Sequence, residues 1–383
     1  MFLITGVELF DPDPRGICDV LVAGGEVIRV TEAGGIEANE LMTRVNGTGM
    51  LMLPGLVDIL THPCGGGGEG GFGNRTSELS AAEFIRSGVT TPVGALGTDS
   101  LGRSLEVLYG TVMQYRSEGL QAFMYSGAYR VPCPSLTGDL AKDLYLIDPV
   151  IGVGEVAIAD HRGTQPNSDE LRRLAAEVQL GGILAGRGGT VLVHVGDGEA
   201  RLSLLREAVD GCDLPTRVLF PTHVNRSTAL LDEAADWTLR GGFVDITVST
   251  TPELIAAGDI PAEEALRRLL EAGAPADRIT LSSDAGGSLP VYVDGELKGL
   301  TAATSACLTQ LLAQLRRTGS ELLPIAICGM TRNAAAALRI DSAGHIAAGK
   351  RADLVLLDAE SLDVAFVMGE GRWLGEFTPP ELD

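Results

Sequence analysis

LPGLVDILTHPCGGGGEGG, residues 53–71, is an apolar run that ends on a histidine and then passes into a loop built almost entirely of glycine. Its first half, LVDILTH (56–62), reads as a buried strand with His62 at the C-terminal end. Seven further β-branched runs follow: TTPVGAL (90–96), QAFMYSGAY (121–129), IGVGEVAI (151–158), TVLVHVG (190–196), VLFPTHV (218–224), FVDITVS (243–249) and ITLSSDA (279–285). Amphipathic stretches such as SDELRRLAAEVQLGG and PAEEALRRLLEAG separate them, several with a polar residue at the start and glycine at the end. Strands alternating with helices predict a parallel sheet, and eight such units predict a closed (β/α)₈ TIM-like barrel with its site at the C-terminal ends of the strands.

The two ends of the chain read differently. Residues 1–53 and 343–383 carry short strands with turn signals, such as VAGGEVIRV and ADLVLLD. They predict one small β-sandwich domain built from both ends, leaving 54–342 for the barrel.

Composition sets the limits. The 383 residues suffice for a barrel and an accessory domain. Fifty-one acids against 29 bases give a net charge of −22, which argues against nucleic acid or an anionic membrane surface as partner. Mean hydropathy is +0.19, yet no apolar run is long enough to span a bilayer, and the acidic, proline-containing start does not read as a signal peptide. The expected location is the cytoplasm. Six cysteines without close spacing suggest neither a disulfide framework nor a thiolate metal site.

Of the five histidines, three (His62, His194 and His223) fall at or beside the end of an expected strand, as do Glu155 and Asp284. Taken singly, a histidine in a strand is more often a hydrogen-bonded core group and an aspartate a helix cap. Five ligand-type residues arriving at one barrel mouth instead predict a metal site.

LPGLVDILTH, VHVGD, PTHVNR, LSSDAGGS and AGKRADLVLLD together resemble the amidohydrolase superfamily. GGGGEGG, GVTTPVGALGTDS, GAYRVP and VIGVGEVAIADHR make the chain similar, within it, to the isoaspartyl dipeptidases (β-aspartyl-peptidases). That resemblance implies a metal-activated water attacking the amide between a β-aspartyl carboxyl and the next residue, with metal ligands His62, Glu155, His194, His223 and Asp284.

It also implies Asp284 as general base and Tyr129 as donor to the oxyanion. Glu69 matches the contact to the substrate α-amino group, Arg162 and Arg226 match the carboxylate-binding arginines, and Thr98 and Ser288 match smaller polar contacts. A small dipeptide is the implied substrate, and a homo-oligomer, with an octamer as one form, the implied assembly. His161 and His345 are read as structural.

Two positions depart from the family pattern. A His-x-His pair is expected on the first strand, but its first position is Leu60. A carboxylated lysine is expected on the fourth strand, where Glu155 stands and none of the three lysines, Lys142, Lys298 and Lys350, falls. Glutamate can supply a bridging carboxylate, as in the N-acetylglucosamine-6-phosphate deacetylase branch. The expectation is one firmly held zinc on Glu155, His194 and His223, and a weak or empty second position. Three functions stay open: a β-aspartyl dipeptidase, an amidohydrolase or deacetylase acting on another small N-acyl substrate, and a non-catalytic paralogue for which Leu60 is the main support.

Overall fold

The computed structural model describes residues 1–11, 13–293, 296–375 and 381–382. Of the C-terminal segment expected in the β-domain, residues 376–380 and 383 lie outside that range.

The eight expected strands are present: β1 (Leu56–Thr61), β2 (Val89–Gly94), β3 (Phe123–Ser126), β4 (Val150–Ile158), β5 (Thr190–Val195), β6 (Leu219–Thr222), β7 (Val244–Thr247) and β8 (Ile279–Ser282). Strands β1 to β6 pair in parallel in sequence order, and β7 pairs in parallel with β8. Closure comes from β8 returning to β1. Thr61 bridges Ala285 in parallel, the His62 N–H donates to the Ala285 carbonyl at 2.6 Å, and the Ser283 N–H donates to Asp58. The barrel interior is filled by Val57, Ile59, Tyr125, Ile151, Leu192, Phe220 and Phe243, which share one core with Ala334, Ala335 and Leu338 from the helix Arg332–Leu338. This end is therefore packed shut, which leaves the other, where β1, β5 and β6 end on histidines, for a ligand.

The helices form where the sequence supplies a start signal and an apolar stripe. In the helix Ser168–Ala185, Asn167 and Glu170 exchange side chain to backbone hydrogen bonds of 2.9 and 3.0 Å, and the left-handed Gly186 ends the helix. Leu171, Leu174 and Val178 of the same helix are buried against the barrel.

Both chain ends build the second unit, a nine-stranded, mostly antiparallel sheet. Residues Met50–Pro54 pair with Leu354–Asp358, so the strand that enters the barrel is tied to one that follows it. Ile4, Val7, Val20, Met52, Leu354 and Met368 form its separate core. The architecture is a (β/α)₈ barrel with a β-sandwich domain from the chain ends. A hairpin that the strand pattern did not suggest, Ser288–Val293 with Glu296–Ala302, follows β8 at the open end. The cysteines form no disulfide among the described residues.

Candidate active site

Glu155 stands at the centre of the open end. It lies within β4, fully buried, and its two carboxylate oxygens face different neighbours. Oε1 is 2.6 Å from His194 Nδ1 and 3.1 Å from His223 Nε2. Oε2 is 3.5 Å from His62 Nε2, and His62 Nε2 is 3.0 Å from Asp284 Oδ1. The five residues expected as ligands thus meet as a group of three and a group of two joined by one carboxylate. Leu60, two residues before His62, is fully buried and offers no donor.

The donor set fits a cation. Atoms of Glu155, His194 and His223 all lie within 4.8 Å of one another, and all three residues are buried. Glu155 Oε2 is buried without a hydrogen-bond partner among the described residues, which leaves a carboxylate lone pair in the cluster open to a cation. Each histidine is also held from behind, as metal-binding imidazoles usually are. His62 Nδ1 meets the Ala95 carbonyl at 3.2 Å, His223 Nδ1 the Thr247 hydroxyl at 2.6 Å, and His194 Nε2 the Asp160 carboxylate at 3.0 Å.

Electrostatics follow the same division. For His223, burial and the neighbouring His194 and Arg226 outweigh the Glu155 hydrogen bond and push its pKa down to about 4, so its imidazole is neutral at pH 7. For His62, burial pulls the pKa down, but Asp284 and Glu155 outweigh it and raise it to about 9. A cation taking that position would release the His62 proton. Burial favours a neutral Glu155, yet the two imidazoles beside it hold its pKa well below the usual carboxylate range.

The substrate-type residues surround this cluster. A cleft of about 380 Å³, counting its open mouth, is lined by His62, Thr98, Tyr129, Arg162, His194, Arg226, Asp284 and Ser288. The Tyr129 hydroxyl is 2.8 Å from His194 Nδ1, and burial pushes its pKa well above the ordinary value, which keeps it a donor. Arg162 lies over the Tyr129 ring, 5.6 Å from its centroid. Glu69 accepts from Thr98 Oγ1 at 2.8 Å and from Arg162 Nη1 at 3.1 Å. Arg226 reaches only a 3.5 Å contact with the exposed Asp197.

The glycine loop presents Glu69. Gly65, Gly67, Gly68, Gly70 and Gly71 all have φ between 78° and 111°, the left-handed region that side chains disfavour. The Gly68 N–H donates to the Asn74 carbonyl and the Asn74 amide to the Glu69 carbonyl, so the loop is pinned on both sides of the glutamate. Gly287 is glycine for a different reason, since a Cβ there would lie 2.7 Å from the Asp284 carboxylate.

A model of the amidohydrolase family matches residues 51–374. This chain belongs to the amidohydrolase family. Over 100% of its length and 99% of the other chain, it is 36% identical to the β-aspartyl dipeptidase of Fervidobacterium islandicum AW-1, solved in complex with the β-Asp-Leu dipeptide, with a TM-score of 0.89. A second structure of that dipeptidase matches at 35% identity and a TM-score of 0.88 over the same coverage. N-acetyl-D-glucosamine-6-phosphate deacetylase from Mycobacterium smegmatis shares the fold, at 22% identity over 97% of this chain and 100% of that one, with a TM-score of 0.60.

As an amidohydrolase, the chain carries groups at its mouth that strand-end reasoning did not single out. Asp160 lies two residues before Arg162 and grips both Arg162 and His194. Its only trace in the sequence is the Asp-x-Arg spacing just after β4. Thr247 ends β7, where a threonine gives no chemical signal. Asp58 and Asp245 are fully buried among the hydroxyls of Ser283, Thr222, Thr280 and Ser282. His161 is exposed, 3.7 Å from Asp160, and His345 pairs with Asp11; neither lines the cleft.

Proposed function

We propose that this chain hydrolyses the β-aspartyl bond of isoaspartyl dipeptides in the cytoplasm, with zinc held by Glu155, His194 and His223. A second, weaker position would use His62, Glu155 and Asp284. The observation that carries this reading is the pairing of one acid, Glu69, and two arginines, Arg162 and Arg226, around a buried donor cluster. A β-aspartyl dipeptide offers the matching charges, one ammonium and two carboxylates. The likeness to a dipeptidase solved with β-Asp-Leu supports the same substrate.

Bound zinc would lower the pKa of water and polarise the scissile carbonyl. The chain's own groups supply the rest. Asp284 accepts the proton of the attacking water and passes it to the leaving amine as the C–N bond breaks, yielding aspartate and a free amino acid. Tyr129 donates a hydrogen bond from its hydroxyl to the oxyanion of the tetrahedral centre. Glu69 takes the α-ammonium, Arg162 and Arg226 the carboxylates, and Thr98 and Ser288 fix orientation. A homo-oligomer, with the octamer as one form, is the assembly we infer.

Leu60 and Glu155 favour a second reading, an amidohydrolase or deacetylase acting on a different small N-acyl substrate. Leu60 alone would also suit a paralogue that binds without turnover.

The test is amino-acid release from β-Asp-Leu and α-Asp-Leu by purified protein, with zinc counted on the same sample. Turnover of the β isomer alone, with about one zinc per chain, is the expected result. Zinc without turnover of either isomer would transfer the proposal to another N-acyl substrate. Neither zinc nor turnover would leave the binding-only paralogue.

A further inference from the structure

We propose that Asp160 is a positioning residue that fixes His194 in the tautomer able to bind metal and, with the same carboxylate, aims Arg162 at the substrate. The proposal rests on the reading of Glu155, His194 and His223 as a metal site and extends it to a residue outside the cluster.

Asp160 lies two residues after the end of β4, and its side chain is only 4% exposed. Oδ1 accepts from the Arg162 backbone N–H at 2.8 Å and from Arg162 Nε at 3.0 Å. Oδ2 accepts from Arg162 Nη2 at 2.6 Å and lies 3.0 Å from His194 Nε2. A carboxylate gripping a guanidinium through both oxygens has lone pairs and no proton to offer. The hydrogen between Asp160 and His194 therefore belongs to His194 Nε2. With Nε2 protonated, the lone pair of the neutral ring is on Nδ1, the atom that points at Glu155 Oε1. The Tyr129 hydroxyl, a donor 2.8 Å away, matches that lone pair, while Arg162 Nη2, 3.2 Å from Nε2, shares Asp160 Oδ2 with it; the opposite tautomer would oppose two lone pairs across the Asp160 contact and leave the Tyr129 hydroxyl facing an N–H.

The other two histidines are held by neutral groups. Asp160 alone brings a full charge and shares it with a residue of the substrate pocket. Its loop is braced for this: Ala159 adopts a left-handed φ of 49°, and Gln165 Nε2 donates to the Asp160 carbonyl at 2.7 Å. Gripping the Nε side of Arg162 leaves the far edge of the guanidinium toward Glu69 and the cleft. One carboxylate thus sets the geometry of a metal ligand and of a substrate contact.

Asp160→Asn isolates the claim. Every neighbour of this carboxylate is a donor, so the amide must turn an N–H toward either Arg162 or His194 Nε2. The second orientation selects the wrong tautomer. The first misplaces the guanidinium. Zinc affinity would be measured by chelator competition on the full-length protein, alongside KM and kcat for β-Asp-Leu. Asp160→Asn is expected to weaken zinc binding by about 10–100-fold and to raise KM. Arg162→Met, which leaves the Asp160–His194 contact in place, is expected to raise KM with zinc affinity unchanged.

Long-range ¹H–¹⁵N spectra of the imidazoles in zinc-free wild-type protein supply a readout that needs no variant, with His194 protonated on Nε2. Wild-type zinc affinity in Asp160→Asn, or a His194 proton on Nδ1, would overturn the proposal. Absence of zinc binding by the wild type would overturn the metal reading itself, and this inference with it. Should Asp160→Asn fail to fold, the wild-type spectrum decides.

Discussion

Glu69 Oε1 lies 3.1 Å from Nη1 of Arg162, so the acid and the cation proposed to receive opposite charges of a dipeptide are bound to each other in the free protein. A ligand that brings only a carboxylate can take Arg162 but strands Glu69 in a half-buried position. One that brings an ammonium as well replaces both partners at once. N-acetyl-β-Asp-Leu is therefore expected to bind about 10–100-fold more weakly than β-Asp-Leu. Equal inhibition constants for the two would remove Glu69 from the role of ammonium acceptor.

Tyr129 separates chemistry from binding. Tyr129→Phe keeps the ring beneath Arg162 and deletes only the hydroxyl, so kcat for the β isomer should fall about 10²–10³-fold with little change in KM. A KM effect of the same size with kcat intact would make the hydroxyl a ground-state contact.

Leu60 tests the second metal position. It is fully buried, two residues before His62 on the same strand, and the half-site there already has His62, Asp284 and one oxygen of Glu155. Leu60→His is expected to raise the zinc content from about one to about two per chain, counted by elemental analysis after dialysis. A count that stays at one would mean that the strand no longer aims this position at the site.

Asp58 gives a pH signature in stability. Burial outweighs its hydrogen bonds from Ser283 and lifts its pKa from 3.8 to about 7. Below the unfolded value, both states hold the proton and the folded state carries no penalty. Between about 4 and 7 the unfolded chain loses the proton first, so stability falls as pH rises through this window, by an amount on the order of a few kcal/mol. Asp58→Asn can still accept from the Ser283 N–H and donate to its hydroxyl, so its urea midpoint relative to wild type should improve from pH 4 to pH 7. Parallel pH profiles for the two proteins would show that Asp58 is ionised in the folded state.

Much of this is legible in the sequence alone. The strands announce themselves because a parallel barrel buries both faces of each strand, which forces β-branched runs such as TVLVHV between glycine-rich turns. His62, His194 and His223 were findable because strand ends at a barrel mouth are where chemistry collects. What could not be read were contacts made across loops. Glu69 and Arg162 are 93 positions apart and meet only because the glycine loop folds over the mouth. Asp160 has an interpretable role only once His194, on a neighbouring strand, is seen beside it. Thr247 carries no chemistry of its own, and its hydroxyl gains meaning solely from the His223 nitrogen it faces. The hairpin after β8 escaped for a different reason: its strands follow the eighth βα unit, where the alternation had already closed.

The pairing of Met50–Pro54 with Leu354–Asp358 has a consequence for how the molecule comes into being. Pro54 meets Leu354, 300 positions further along, so the strand leading into the barrel has no partner on that edge until those residues have left the ribosome. At about 5–20 residues per second, this is a wait of roughly 15–60 s during which apolar strand edge stays uncovered. The clasp between these two strands therefore forms late, after the barrel segments that separate them have been made.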